Sequence, residues 1–196
     1  MDLWFPWDKF SRFNSINMPI ESAFVVLIPE ADRLVETFRK RYQPSAAVAF
    51  PAHVTILYPF KSPDQLTSDL SIALRELFSK QASFMASFLE VLRFPDMLYL
   101  APVPAGPFRQ LTEIVLKHYP DTPPYGGAFA EIIPHLTLAQ VGDPQQLDEI
   151  EADFRPAVRD MLPIHVSVNL VSLIDNSSDY WQIRAQFPLR NDTQVG

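Results

Sequence analysis

The sequence predicts an α+β fold in which one unit occurs twice, arranged as two lobes. Two observations lead there. The order strand, helix, strand, helix, strand in the first half of the chain returns in the second half. The middle strand of each half carries the same short pattern, Ala52-His53-Val54-Thr55-Ile56-Leu57 and Pro134-His135-Leu136-Thr137-Leu138. A composition of 19 prolines against 5 glycines then marks where elements stop and start.

Taken in order, residues 1–20 form a leader with Trp4, Phe5, Trp7, Phe10 and Phe13 in no clear period. Aromatic-rich segments tend to bury, so it is expected to pack across the core, or to serve as a lid or dimer contact. The run over 23–28 is apolar throughout and rich in branched residues, a central strand. Pro29 suits the first position of a helix, and Leu34, Val35 and Phe38 make its apolar stripe. That helix should stop near Gln43, before Pro44. The first motif strand spans 53–58 between Pro51 and Pro59. Ser62, Pro63 and Asp64 open a second helix to about Phe78, with Leu66, Leu70, Leu74 and Leu77 at helical spacing. A strand over 84–93 closes the first half.

In the second half a strand over 97–101 precedes a helix from Pro107 that buries Phe108, Leu111, Ile114 and Val115. A Pro/Gly-rich loop over 120–127 leads to the second motif strand over 133–139. Asp143 and Pro144 start a helix with Leu147, Ile150 and Phe154 apolar, expected to end before Pro156. Two strands over 164–173 and 180–187 flank a hairpin turn at Asp175, Asn176, Ser177, Ser178 and Asp179. The expected domain is 21–190, with lobe halves of about 21–94 and 95–190 and a tail over 191–196.

In a strand, residues two apart point to one face. Each motif therefore sets an imidazole beside a hydroxyl, His53 with Thr55 and His135 with Thr137, while Val54, Ile56, Leu136 and Leu138 turn to the other face. A lone histidine on an apolar strand is most simply a core residue bonded to a backbone carbonyl. The chain has only four histidines and two of them stand in this frame, which favours a functional pair. Of the others, His118 at a helix end is read as a cap, and His165 alternates with Ser167 and Asn169 on a polar face that lines the cleft or meets solvent.

Composition bounds the rest. A chain of 196 residues with 47% hydrophobic and 20% charged residues suits one globular domain. No apolar run approaches the length of a membrane span, and the N-terminus has no signal-peptide pattern, so a cytoplasmic location is expected. A net charge of −7 argues against coating long nucleic acid, yet a local cleft on an acidic protein can hold a phosphate or an RNA terminus. The absence of cysteine excludes disulfides, thiolate metal sites and cysteine nucleophiles. A monomer is expected.

The paired His-x-Thr runs resemble the 2H phosphoesterase superfamily, especially its 2'-5' RNA ligase-like branch, over roughly Ser22 to Leu189. The resemblance implies a bilobal fold with two mainly antiparallel sheets around a central cleft and helices outside. It implies that His53 and His135 act as an acid/base pair, with Thr55 and Thr137 anchoring phosphate. The substrates it implies are 2',3'-cyclic phosphate ends or small 2'-5'-linked nucleotides, hydrolysed or, in reverse, ligated. Such chemistry needs an activated water, a proton for the leaving ribose oxygen and stabilised phosphoryl charge. Two imidazoles near neutral pH can move both protons, so neither metal nor cofactor is expected. Related sequences often carry a basic residue where Gln140 stands; either phosphate is held more weakly here, or Lys61, Arg93 or Arg184 compensates, each of which is more simply a solvated surface charge. Bases stack on rings, which makes Tyr125, beside Gly126 and Gly127, and Tyr58 candidate substrate contacts with Lys61. Phe60 and Phe129 are read as core. Two other readings compete: a catalytically silent module binding nucleotides or RNA ends on the same fold, and a metallohydrolase with the histidines as ligands. No carboxylate stands at ligand spacing beside them, which weighs against the second.

Overall fold

A computed structural model describes residues 20–42, 51–128, 131–178 and 180–191. The aromatic leader over 1–19, Phe129 and the tail residues 192–196 lie outside the described residues. The elements are β1 (Ser22–Leu27), α1 (Asp32–Tyr42), β2 (His53–Leu57), α2 (Ser68–Ser79), β3 (Phe84–Phe94), β4 (Met97–Val103), α3 (Gly106–His118), β5 (Leu136–Gln140), α4 (Pro144–Val158), β6 (Ile164–Val168), β7 (Leu170–Asp175) and β8 (Gln182–Pro188). The α+β class is as the sequence predicts, and the antiparallel pairing of the strands is as the resemblance implies. Among the described residues no helix is long and apolar enough to cross a membrane.

The strands lie in the order β6-β3-β4-β5-β2-β1-β7-β8. Two four-stranded halves meet between β5 and β2, where the register holds one pair, Val54 with Leu136. The two expected sheets are thus joined at the motif strands themselves. Helices cover one face. There Phe24, Phe78, Phe88, Phe108 and Phe187 are fully buried with Val54, Ile56 and Leu136. Thr112 of α3 donates to the Ile56 carbonyl at 2.6 Å, which fastens that helix to β2.

The halves of the sheet do not follow the halves of the chain, so the expected lobe division at residue 94 is corrected. β3 sits with β4 and β5, while β7 and β8 return to β1 and β2. The single strand expected over 164–173 is two strands divided at Asn169, one at an edge of the sheet and the other near the opposite edge. One residue spans them only because the sheet curls and brings its edges together. Leu189 N–H donates to the Asn169 carbonyl at 2.8 Å, and Ser83 N–H to the Arg190 carbonyl at 2.9 Å, stitching that closure.

Other boundaries move for local reasons. Residues 63–65 form a single 3-10 turn, and α2 starts after Thr67, whose hydroxyl accepts from Leu70 N–H at 3.3 Å. β5 starts at Leu136 and not at 133, because Pro134 has no N–H for a ladder. α4 runs through Pro156 to Val158. The proline costs a bond, but Val158 continues the buried stripe of Leu147, Ile150 and Phe154, and that burial is worth about 1.5–3 kcal/mol.

Candidate active site

Alternation along β2 and β5 leaves His53, Thr55, His135 and Thr137 half-buried on the face away from the helices, while Val54, Ile56, Leu136 and Leu138 are buried behind them. One step either side of the Val54–Leu136 pair, antiparallel register sets Thr55 across from His135 and His53 across from Thr137. Each imidazole therefore has one hydroxyl two residues along its own strand and another across from it.

Both histidines are oriented by the same device. His53 Nδ1 lies 2.7 Å from the Pro51 carbonyl, and His135 Nδ1 lies 2.8 Å from the Ile133 carbonyl. A carbonyl only accepts, so each Nδ1 carries the proton and donates it. Nε2 is then the basic nitrogen of each neutral ring. The approach to His53 is fixed further back. Ala52 N–H donates to Asp32 Oδ1 at 2.8 Å, and the Ala52 carbonyl accepts from Ile28 N–H at 2.8 Å.

His135 stands perpendicular to the Phe94 ring at 5.7 Å and edge-on to Tyr99 at 5.8 Å, and those two rings stack at 4.2 Å. Burial there lowers the proton affinity of His135 below that of an ordinary histidine, and the Ile133 carbonyl offsets this in part. Burial also pushes the Tyr99 hydroxyl up. The Thr137 hydroxyl points at Met97 Sδ, 3.5 Å away, a weak acceptor.

Beside His53 and Thr55 the same face is apolar. β1 pairs Val25 with Thr55 and Leu27 with His53. Ala23, Val25 and Ile174 form a small buried cluster against which Leu27, Tyr58 and Trp181 pack. Tyr58 is the hub of its rim. Its hydroxyl donates to the Glu21 carboxylate, and its ring lies 6.3 Å from Tyr125 and 6.1 Å from Trp181. Burial, and then Glu21, hold the Tyr58 hydroxyl well above the usual tyrosine range, and burial does the same for Tyr125. Tyr125 occupies left-handed backbone at φ 52°, ahead of Gly126 and Gly127 at 64° and 79°. Its N–H donates to the Tyr58 carbonyl at 2.6 Å, which ties this unfavourable turn to the end of β2.

The other candidates separate. Lys61 leans its ammonium over the rings of Phe60 and Tyr119, at 5.6 and 5.7 Å, toward α3. Arg93 binds Asp148 and Glu151 of α4, at 2.5 and 2.8 Å, which favours its reading as a surface charge over a phosphate contact: it clamps β3 to α4. Arg184 lies 4.0 Å from the buried Asp175 carboxylate. Gln140 is half-buried at the end of β5, paired in register with Met97. Phe60 is core. His118 Nδ1 donates to the Ile114 carbonyl at 2.8 Å, which is a cap for α3. His165 is exposed on the edge strand β6, with Nδ1 at 2.8 Å from the Ser87 hydroxyl. Sequence reasoning missed Trp181, Phe94, Tyr99 and Asp32. Only Trp181, at the head of the last strand, had a signal of its own, an aromatic beside a turn. Among the described residues no group of three or more His, Asp or Glu is gathered as metal ligands would be.

The likeness to known proteins agrees with this geometry. The sequence profile of the 2'-5' RNA ligase superfamily matches residues 28–179, more than half of the chain. Comparison with curated proteins finds no match. Among solved structures, E. coli LigT complexed with NADP+ superposes with a TM-score of 0.54 at 18% identity, covering 89% of this chain and 99% of LigT. LigT complexed with 3'-AMP gives 0.53 at 17%, covering 88% and 99%. TT0787 of Thermus thermophilus gives 0.56 at 18%, again covering 88% and 99%. At such identities these structures speak for the fold, and the profile speaks for the family. The chain belongs to the 2'-5' RNA ligase superfamily, the ligase-like branch of the 2H phosphoesterases.

Proposed function

We propose that the protein is a metal-independent phosphodiesterase that opens 2',3'-cyclic phosphate ends, or cleaves small 2'-5'-linked nucleotides or RNA, with ligation as the reverse reaction. The observation that carries the reading is the matched pair of imidazoles, each held by its own carbonyl and each with a threonine beside it and across from it. That small nucleotides are bound in structures of LigT, with NADP+ and with 3'-AMP, supports a nucleotide as ligand.

In the hydrolytic direction His135 is the base. Its lowered proton affinity keeps Nε2 unprotonated near neutral pH. Nε2 takes a proton from water as the water oxygen bonds to phosphorus. The bond from phosphorus to one ribose oxygen breaks, and that oxygen takes the proton from Nε2 of a protonated His53. The product is a phosphomonoester, and the two rings exchange roles for the reverse reaction. Thr55 and Thr137 donate to the non-bridging oxygens, where charge builds in the transition state. The apolar cluster beside β2 receives the nucleoside, with Tyr58, Tyr125 and Trp181 along its rim.

The test is turnover of 2',3'-cyclic mononucleotides in excess chelator, beside the His53→Ala/His135→Ala double variant. Turnover that survives chelator and is lost in the variant is the expected result. Loss with chelator would replace the reading with metal-assisted hydrolysis. Binding without turnover at any pH would make the protein a silent nucleotide-binding module.

A further inference from the structure

A carboxylate is fixed among the rings of the cleft rim. Glu21 continues the line of β1, and by alternation its side chain shares the face of Ala23 and Val25, which belong to the apolar cluster. Asn176 pins its backbone on both sides: Glu21 N–H donates to Asn176 Oδ1 at 2.7 Å, and the Glu21 carbonyl accepts from Asn176 N–H at 3.2 Å. Its Oε2 accepts from the Tyr58 hydroxyl, and the Tyr58 ring packs against Tyr125 and Trp181. One phenol uses one of about four acceptor sites on a carboxylate, so both oxygens of Glu21 can still accept.

The position suits a base and not a phosphate. Val25 pairs with Thr55, and Glu21 lies four residues back along extended chain, about 13 Å by the rise of a strand. That exceeds the screening length of about 8 Å at physiological salt, so the carboxylate does not repel a phosphate held on the threonines. One nucleotide, hydrogen-bonded at both ends, fills the span, with its phosphate on Thr55, its sugar along the apolar cluster and its base among the rings. Bases differ in what they show to a carboxylate, which only accepts. Guanine presents N1–H and its N2 amino group side by side. Adenine and cytosine set an amino group beside an unprotonated ring nitrogen, and uracil sets N3–H between two carbonyls. In those three the carboxylate faces an acceptor, and a site whose own polar group is left unpaired rejects the ligand.

We infer that Glu21 reads the Watson–Crick edge of the bound base and makes the cleft selective for guanine nucleotides. This rests on the proposed function and narrows its substrate from any nucleoside to guanosine.

The experiment compares kcat/KM for the 2',3'-cyclic phosphates of guanosine, adenosine, cytidine and uridine, in wild type and in Glu21→Gln. The wild type should favour guanosine by about ten-fold or more, the worth of one bidentate pair. Glutamine keeps an acceptor for Tyr58 and sets an N–H donor beside it, the pattern that matches adenine. The variant should therefore lose the preference for guanosine and turn over the adenosine compound faster than the guanosine one. No preference for guanosine in wild type would overturn the inference. So would equal losses for all four substrates in the variant, which would leave Glu21 as no more than a tether for Tyr58. If none of the four turns over in wild type, the proposed function fails, and calorimetric titration with guanosine 3'-phosphate and adenosine 3'-phosphate decides the inference by itself. Tighter binding of the guanosine compound, reversed in Glu21→Gln, supports it; equal binding of the two, or binding of neither, overturns it.

Discussion

Tyr125 and Trp181 both pack against the Tyr58 ring, at 6.3 and 6.1 Å. Tyr125 stands beside two glycines in a loop, a visible cue, and it adopts the positive φ that such a turn demands. Trp181 has the weaker cue of an aromatic beside a turn, and it reaches the rim only through the pairing of β7 with β8, which is not local. Similarly, the His-x-Thr frames are legible as residues two apart. The carbonyl that fixes each Nδ1 is a product of backbone geometry and is not legible. If the rings hold the substrate's base, Tyr125→Ala and Trp181→Ala should each raise KM for a cyclic nucleotide by about five-fold or more, the worth of one stacked base, with kcat little changed. Steady-state kinetics on the two variants checks this; an unchanged KM in both would remove the rim from the site.

At the scale of elements, short-range chemistry locates the strands and helices well and misplaces their ends. The apolar stripe of α4 continues to Val158, so burial overrides the stop at Pro156. Thr67 takes the cap that Ser62 would have held. The tie between α3 and β2 is a tertiary feature. Thr112, buried, donates to the carbonyl of Ile56, one residue past Thr55. Thr112→Val keeps the shape and removes the donor, leaving that carbonyl with one partner fewer. Urea unfolding should show a loss of about 1–3 kcal/mol, the cost of a buried group left unsatisfied. No loss of stability would mean that another donor reaches Ile56.

For the whole molecule, the duplicated order of elements was legible, and the interleaving of the two halves was not. A strand broken at Asn169 and sent to the far edge of a curled sheet depends on closure, which local periodicity does not encode. The same limit applies to Arg93. As a sequence neighbour of a cleft strand it looks like a phosphate ligand. In the fold it belongs to the helix side, where it joins Asp148 and Glu151. Arg93→Ala should leave KM for cyclic nucleotides unchanged and lower stability by about 1 kcal/mol or less. A several-fold rise in KM without loss of stability would return Arg93 to the site.

The central claim is that two imidazoles divide the proton transfers, with His135 as the base. The most direct measurement is the pH dependence of kcat/KM for a 2',3'-cyclic nucleotide in wild type and in His135→Ala. The base must be unprotonated, and burial lowers the pKa of His135. Activity should therefore hold as pH falls to about 6.5, an ordinary histidine's pKa, and decline only below it as His135 gains its proton. On the alkaline side it should fall as the acid partner loses its proton, giving a bell. His135→Ala should lower the rate by about 10²–10⁴-fold and abolish the acid limb while the alkaline limb remains. A wild-type profile flat from about pH 5 to 9, or an acid limb that survives in the variant, would contradict the account.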